Sequence, residues 1–171
     1  MKLLRFVGFF ALPLLFSCSE SNKNEFTLYL DGENAEINTN TLISDSTGNR
    51  YCSIDTSSVF GYGWKGLLSK DLEGRDLKIV FSCRSKFDLE TKGSLVFQFD
   101  DSSKDSTVLW KECPLDLYTN KLNQWTEVKD SIIINKTELI GSPIRFGVFP
   151  FKVKGAGKLY TDNLLIKISA L

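Results

Sequence analysis

The sequence predicts an all-β fold, an antiparallel β-sandwich built as a single domain, and three observations carry that expectation. Apolar and polar residues alternate with a period of two from residue 26 to residue 168, while apolar spacing of three and four residues is hardly sustained anywhere. Clusters of Asp, Ser, Gly, Asn and Lys interrupt the alternation at 45–49, 73–76, 100–106 and 154–158, which is turn chemistry. Setting aside a leader of 17 of the 171 residues leaves 154, enough for one domain with a genuine core and hardly enough for two.

The predicted strands run over 26–30, 50–55, 64–69, 77–84, 94–100, 107–112, 125–134, 145–151 and 159–168. In the second, Cys52 shares a face with Ile54; in the fourth, Cys83 shares one with Leu77, Ile79 and Phe81, so both thiols are expected to point into the core. In the fifth, Leu95, Phe97 and Phe99 face inward and leave Val96, Gln98 and Asp100 outward, the habit of a half-solvated antiparallel sheet. In the sixth, Trp110 alternates with Val108 and Glu112 while Leu109 and Lys111 take the other face, so its orientation stays open. Trp125 begins the seventh after Asn123-Gln124, where an aromatic side chain commonly plugs a sandwich core.

Ahead of the domain, residues 1–17 carry Lys2 and Arg5 and then an apolar run from Phe6 to Phe16, broken only by Gly8 and Pro13, which is a signal-peptide profile. The run is shorter than the roughly 20 apolar residues of a spanning helix. The segment Leu15-Phe16-Ser17-Cys18 resembles the bacterial lipobox, which implies that Cys18 receives diacylglycerol and palmitate-type acyl chains and becomes the first residue of the mature protein. Two or more acyl chains anchor firmly where one is marginal. The expected organisation is a lipoprotein signal peptide (1–17), a lipidated cysteine with a short polar tether (18–24) and the sandwich (25–171). The expected location is the cell envelope, tethered to a membrane. Ser19 and Glu20 hint at outer-membrane sorting, with the periplasmic or surface face left open.

Composition excludes several function classes. Without Lys2 and Arg5, 19 of the 21 basic residues remain against 21 acidic ones, a formal charge of −2 spread without long runs, which is no footprint of a nucleic-acid binder. No glycine-rich phosphate loop stands at a strand-to-helix junction, so nucleotide binding has no support. The chain has no histidine, which removes the commonest general base, the usual partner of a serine or cysteine nucleophile and the commonest zinc ligand. A non-enzyme is expected. The remaining catalytic possibility is a carboxylate pair acting on polysaccharide, from Asp100/Asp101, Asp88/Glu90 or Asp116.

Three cysteines remain in the domain, in a compartment where disulfides can form. Cys52 and Cys83 are the candidate pair; the equal alternative is three buried reduced thiols, because free cysteine packs as a small hydrophobe. No Cys-x-x-Cys pair is present.

The segments 49–64, 72–84, 124–128 and 157–168 resemble the jelly-roll, galactose-binding-like sandwiches that occur as carbohydrate-binding modules in secreted bacterial proteins. The strand Tyr51-Cys52-Ser53-Ile54-Asp55 followed by Gly61-Tyr62-Gly63-Trp64, the turn at 72–77 leading to a strand that ends in Arg84, and Tyr160-Thr161-Asp162-Asn163-Leu164 in the last strand carry the likeness. The resemblance implies a jelly-roll sandwich and a structural calcium ion held by Asp162, with Asp31, Glu33 or Glu36 opposite; the other reading is that Asp162 caps a turn. Calcium requires six to eight oxygen ligands.

A sugar site combines aromatic faces with a few placed hydrogen-bonding groups. Trp64, with Phe60 and Tyr62 in the glycine-rich stretch, either lines a loop-edge site or packs in the core. Trp110, and the polar Arg84, Gln98 and Arg145 on outward strand positions, are the other ligand-binding candidates. Asp45-Ser46-Thr47, Asp105-Ser106-Thr107 and Asp130-Ser131-Ile132 resemble the O-glycosylation sequon of exported proteins of Bacteroidota, whose lipoproteins this chain is similar to, and make Ser46, Ser106 and Ser131 modification candidates. The function expected is a membrane-anchored, non-catalytic binding module, with carbohydrate the leading ligand. The alternative is a structural or assembly protein of the envelope that binds a protein partner through a sheet edge or flat face.

Overall fold

The computed structural model describes residues 24–32, 34–119, 121–153 and 155–171; the signal-like segment, Cys18 and Glu33 lie outside them. Its ten strands are β1 (Glu25–Leu30), β2 (Leu42–Ser44), β3 (Arg50–Ile54), β4 (Trp64–Leu67), β5 (Leu77–Phe87), β6 (Gly93–Asp101), β7 (Ser106–Pro114), β8 (Thr126–Ile134), β9 (Ile144–Lys152) and β10 (Leu159–Ala170). All pairings are antiparallel. The large sheet runs β2-β3-β10-β5-β8 with β1 also on β10, and the small sheet runs β4-β9-β6-β7.

Alternation decides which side chains meet between the sheets. In β5 Leu77, Ile79, Phe81, Cys83, Ser85 and Phe87 are buried while Lys78 and Val80 are exposed, a period of two over the whole strand. Phe81 of the large sheet meets Phe97 of the small one with ring centroids 5.5 Å apart, and Phe97, Phe99 and Phe146 continue the layer. Fully burying such a side chain contributes about 1.5–3 kcal/mol. The buried cluster spans residues 30–168, so it and every described strand lie between Asn24 and Leu171.

Each predicted strand is present. β5 extends three residues further than the alternation to Arg84 suggests, through Ser85 to Phe87, because Ser85 is buried and keeps the inward parity. The short β2 had no signal, since three exposed or half-exposed residues pair only with β3. The turn at Asp45 is closed by its carboxylate, which accepts the backbone N–H groups of Thr47 and Asn49, with Gly48 at φ 87°.

The Cys52–Cys83 pairing does not occur. Cys52 on β3 and Cys83 on β5 flank β10, so two strand spacings of about 4.8 Å separate them, well beyond the roughly 7 Å a bridge tolerates between Cα atoms. All three thiols are free and buried. Burial pushes the Cys83 thiol up to about 12 and that of Cys113 to about 11, and raises that of Cys52, so none is a ready nucleophile.

Candidate functional site

The outer face of the small sheet is built by cross-strand register. Lys65 (β4), Gly147 (β9), Gln98 (β6) and Trp110 (β7) stand opposite one another in one row, and Leu67, Arg145, Asp100 and Thr107 form the next. At the other end of the face, Phe60 bridges to Phe151, and Phe149 opposes Val96. Three of the predicted ligand-binding residues, Trp110, Gln98 and Arg145, are thereby brought onto one surface.

The aromatic end is a mutually supported cluster. Phe60 lies 6.4 Å from Trp110, 5.7 Å from Phe149 and 5.5 Å from Phe151, and Trp110 lies 5.6 Å from Phe149 and 6.0 Å from Phe151. Most of these contacts are edge-to-face, the arrangement ring quadrupoles favour. Trp110 and Phe60 each remain 39% exposed. The Trp110 indole N–H donates to Glu112 at 2.8 Å, which fixes the plane of the ring. This layer also buries Val96 completely, although its parity is outward.

The polar end is organised by Asp100. Its carboxylate receives Lys65 Nζ at 2.6 Å, Gln98 Nε2 at 2.7 Å and Thr107 Oγ1 at 2.9 Å. Burial pushes the Asp100 carboxyl up, but the hydrogen bonds from Lys65, Gln98 and Thr107 outweigh it and hold the group below the usual carboxylate value. Gln98 thus donates into the protein, and among the described residues its amide oxygen has no donor. Arg145 donates to Ser102 Oγ at 3.2 Å and faces Asp105 at 3.6 Å. Between the two ends Gly147 leaves a gap in the side-chain layer, and a Cβ there would meet nothing closer than Lys65 Cγ at 3.5 Å.

The other predicted residues lie elsewhere. Tyr62 is 1% exposed and donates its hydroxyl to Leu30 O at 3.2 Å. Trp64 faces inward, half-buried against Phe26 at 5.3 Å and Phe146 at 6.3 Å. Both are core residues because the parity of the short β4 puts Trp64 opposite Val148 rather than in the row of Lys65. Arg84 is on the outer face of the large sheet, opposite Asp162 on β10 and Glu127 on β8. Trp125, expected as a core plug, also lies on that face: it precedes β8, and its ring packs on Tyr51 at 5.6 Å under Arg84 and Lys86, each 5.0 Å from its centroid.

That cluster also bears on the expected calcium ion. Asp162 is 2% exposed, accepts Asn163 N–H at 2.9 Å and faces Arg84 at 3.5 Å, so a guanidinium supplies the positive charge beside it. No three His, Cys, Asp or Glu side chains gather to hold a metal among the described residues. The described residues therefore do not fit a calcium set; Glu33 lies outside them.

Of the carboxylates considered for catalysis, Asp100 is held by its three donors. Asp101 accepts the N–H and hydroxyl of Ser103 and faces Lys104 at 3.3 Å. Asp88 accepts the backbone N–H of Lys158. Glu90 and Asp116 line a separate cleft of about 360 Å³ with Phe87, Leu89 and Leu122. Ser46, Ser106 and Ser131 are exposed, the first in a turn and the other two on strands.

Phe60, expected beside Trp64 at a loop edge, stands instead with Trp110, and sequence reasoning missed Phe149, Phe151 and Lys65. The available signal was β9, Ile144-Arg145-Phe146-Gly147-Val148-Phe149-Pro150-Phe151, where large apolar side chains occupy both parities of a strand whose neighbours alternate.

No family model matches the sequence, and no curated protein matches it. Solved structures do match in shape. The CBM22-2 xylan-binding domain of Paenibacillus barcinonensis Xyn10C is 13% identical over 85% of this chain and 99% of that domain, with a TM-score of 0.50. The C-terminal CBM6 of the Zobellia galactanivorans laminarinase LamC is 14% identical over 84% of this chain and 99% of that one, at 0.43. A structure of infectious bursal disease virus, Gx strain, is 11% identical over 85% of this chain and 32% of that one, at 0.49. At this identity the likeness to the first shows the fold alone: the domain shares the antiparallel β-sandwich architecture of that domain.

Proposed function

We propose that this domain is a non-catalytic carbohydrate-binding module, held at the cell envelope by lipid on Cys18, and that the outer face of the small sheet is its binding face. The observation that carries the reading is the exposed aromatic end, Trp110 with Phe60, standing beside Gln98 and Lys65 of the Trp110 row and Arg145 of the next. Ring faces suit the apolar C–H surfaces of sugars, and a fixed polar row suits their hydroxyls. The Asp100 carboxylate, already bonded to three donors, serves to hold that row rather than to move protons.

The shape match to a xylan-binding domain makes xylan the first probe. In a titration of soluble xylan, laminarin and mixed-linkage glucan against residues 24–171, at least one polysaccharide should bind. Trp110→Ala should weaken that binding at least about tenfold with the fold intact, as loss of a stacking aromatic does. Binding of none of them, or binding that Trp110→Ala leaves unchanged, would pass the face to the protein-partner reading. Anchoring has its own test: Cys18→Ser should release the protein from the membrane fraction or leave an unprocessed precursor.

A further inference from the structure

The outer face of the large sheet holds a second constellation, on the side opposite the proposed sugar face. Lys86 on β5 lies between Tyr160, its partner on β10, and Trp125, with its ammonium 4.3 Å from the Tyr160 centroid and 5.0 Å from that of Trp125. Two residues along the strand, the Arg84 guanidinium stands 5.0 Å from the same indole. Tyr51 closes the group, 5.6 Å from Trp125 and 6.1 Å from Tyr160.

The cations here have donors left over. No carboxylate lies within ion-pair distance of Lys86 among the described residues, and its contacts are with ring faces, which take no hydrogen bond from an acceptor-seeking N–H in the way an oxygen does. Arg84 has one loose partner, Asp162 at 3.5 Å, for five N–H groups. Beside Arg84 a polar depression of about 220 Å³ is lined by Glu127, Lys129 and Asn163. Asp162 is matched by Arg84, and Glu127 by Lys129 at 3.9 Å, so Lys86 is the charge left without a carboxylate. The rings hold both cations in place in advance, which lowers the entropy lost when they engage a ligand.

We propose that Arg84 and Lys86, positioned by Trp125 and Tyr160, form an anion-recognition site for the carboxylate groups of an acidic polysaccharide. A carboxylate meets a guanidinium through two parallel hydrogen bonds, and the neighbouring ammonium completes its charge. A chain of uronic acids fits better than a lipid surface, because the rings pack edge-to-face on one another and lie under the cations, leaving no apolar wedge to insert. The site stands independently of the reading of the small sheet.

The test titrates residues 24–171 with polygalacturonate, neutral xylan and vesicles of phosphatidylglycerol. The expected result is binding of polygalacturonate that weakens as salt rises, falls about tenfold in Lys86→Gln and is restored in part by Lys86→Arg. In the wild type, polygalacturonate should shift the NMR signal of the Trp125 indole N–H, a reading that needs no variant. Absence of polygalacturonate binding at low salt, binding undiminished by Lys86→Gln, no shift at Trp125, or binding confined to the vesicles would each overturn the proposal.

Discussion

The two outer faces of the sandwich use the same residue types to opposite ends. Each carries a tryptophan, further aromatic rings, an arginine and a lysine beside a buried aspartate. On the small sheet the rings cluster with one another and Trp110 is left 39% exposed, while the lysine turns away to Asp100 at 2.6 Å. On the large sheet the lysine turns onto the rings, and Arg84 keeps a looser 3.5 Å hold on Asp162. One face therefore presents rings and buries its charge; the other covers its rings with charge. The composition of a surface does not decide what it offers, because the partner each cation selects does.

The largest effect expected from breaking this difference is on stability. Among the described residues, Asp100 keeps two hydrogen bonds when its lysine is removed, whereas Asp162 keeps the N–H of Asn163 alone. Arg84→Ala should cost about 2–4 kcal/mol, as loss of one partner from a buried pair does, with relief from the guanidinium's partial exposure. Lys65→Ala should cost about 1–2 kcal/mol, the scale of one charge-assisted hydrogen bond. Urea denaturation of the two variants would measure both, and the reverse order would mean the two carboxylates are not held as described.

The second contrast separates folding from binding. Trp125→Ala removes two cation–π contacts and an aromatic pair, about 2–3 kcal/mol together, and should leave neutral-polysaccharide binding as it was. Trp110→Ala should reduce that binding, while loss of its ring contacts with Phe60, Phe149 and Phe151 costs a comparable amount, about 2–3 kcal/mol. Melting curves run beside a binding titration would show whether the two tryptophans exchange roles.

A smaller effect concerns acid. Asp100 and Asp101 are held below the usual carboxylate value of 3.8 in the folded protein, Asp100 against its burial by its three donors and Asp101 chiefly by Ser103. A lowered folded pKa gives stability that is fully present above the unfolded value and is lost as pH falls through the folded one. Stability should therefore be flat down to about pH 5 and decline as pH drops below about 4. Thermal unfolding measured from pH 7 to 3 would follow it, and Asp100→Asn should flatten part of that decline.

Much of the fold was legible because alternation is a local property. Inward Leu95, Phe97 and Phe99 and the strands around them follow from parity alone. Strand order is not local, and the errors follow from that. Cys52 and Cys83 share a sheet face, as parity says, but nothing in the sequence places β10 between them. Trp64 and Trp110 both sit in alternating strands, and only the register opposite Val148 and Gln98 sends one inward and the other outward. Gln98 and Arg145 were visible as outward polar positions, whereas alternation left the orientation of Trp110 open. Their meeting on one surface, and the part of Phe60 and Phe149 in it, depended on pairing between strands far apart in the chain.

The most direct test of the small-sheet face is to fill its gap. Gly147→Met places a side chain between the aromatic and polar ends at a position where the backbone accepts a Cβ. The variant should melt within about 3 °C of the wild type, since a change under 1 kcal/mol moves a domain of this size by only a few degrees. With its fold kept, it should bind the polysaccharide recognised by the wild type at least about tenfold more weakly. A folded Gly147→Met protein that binds as well as the wild type would contradict the assignment of this face.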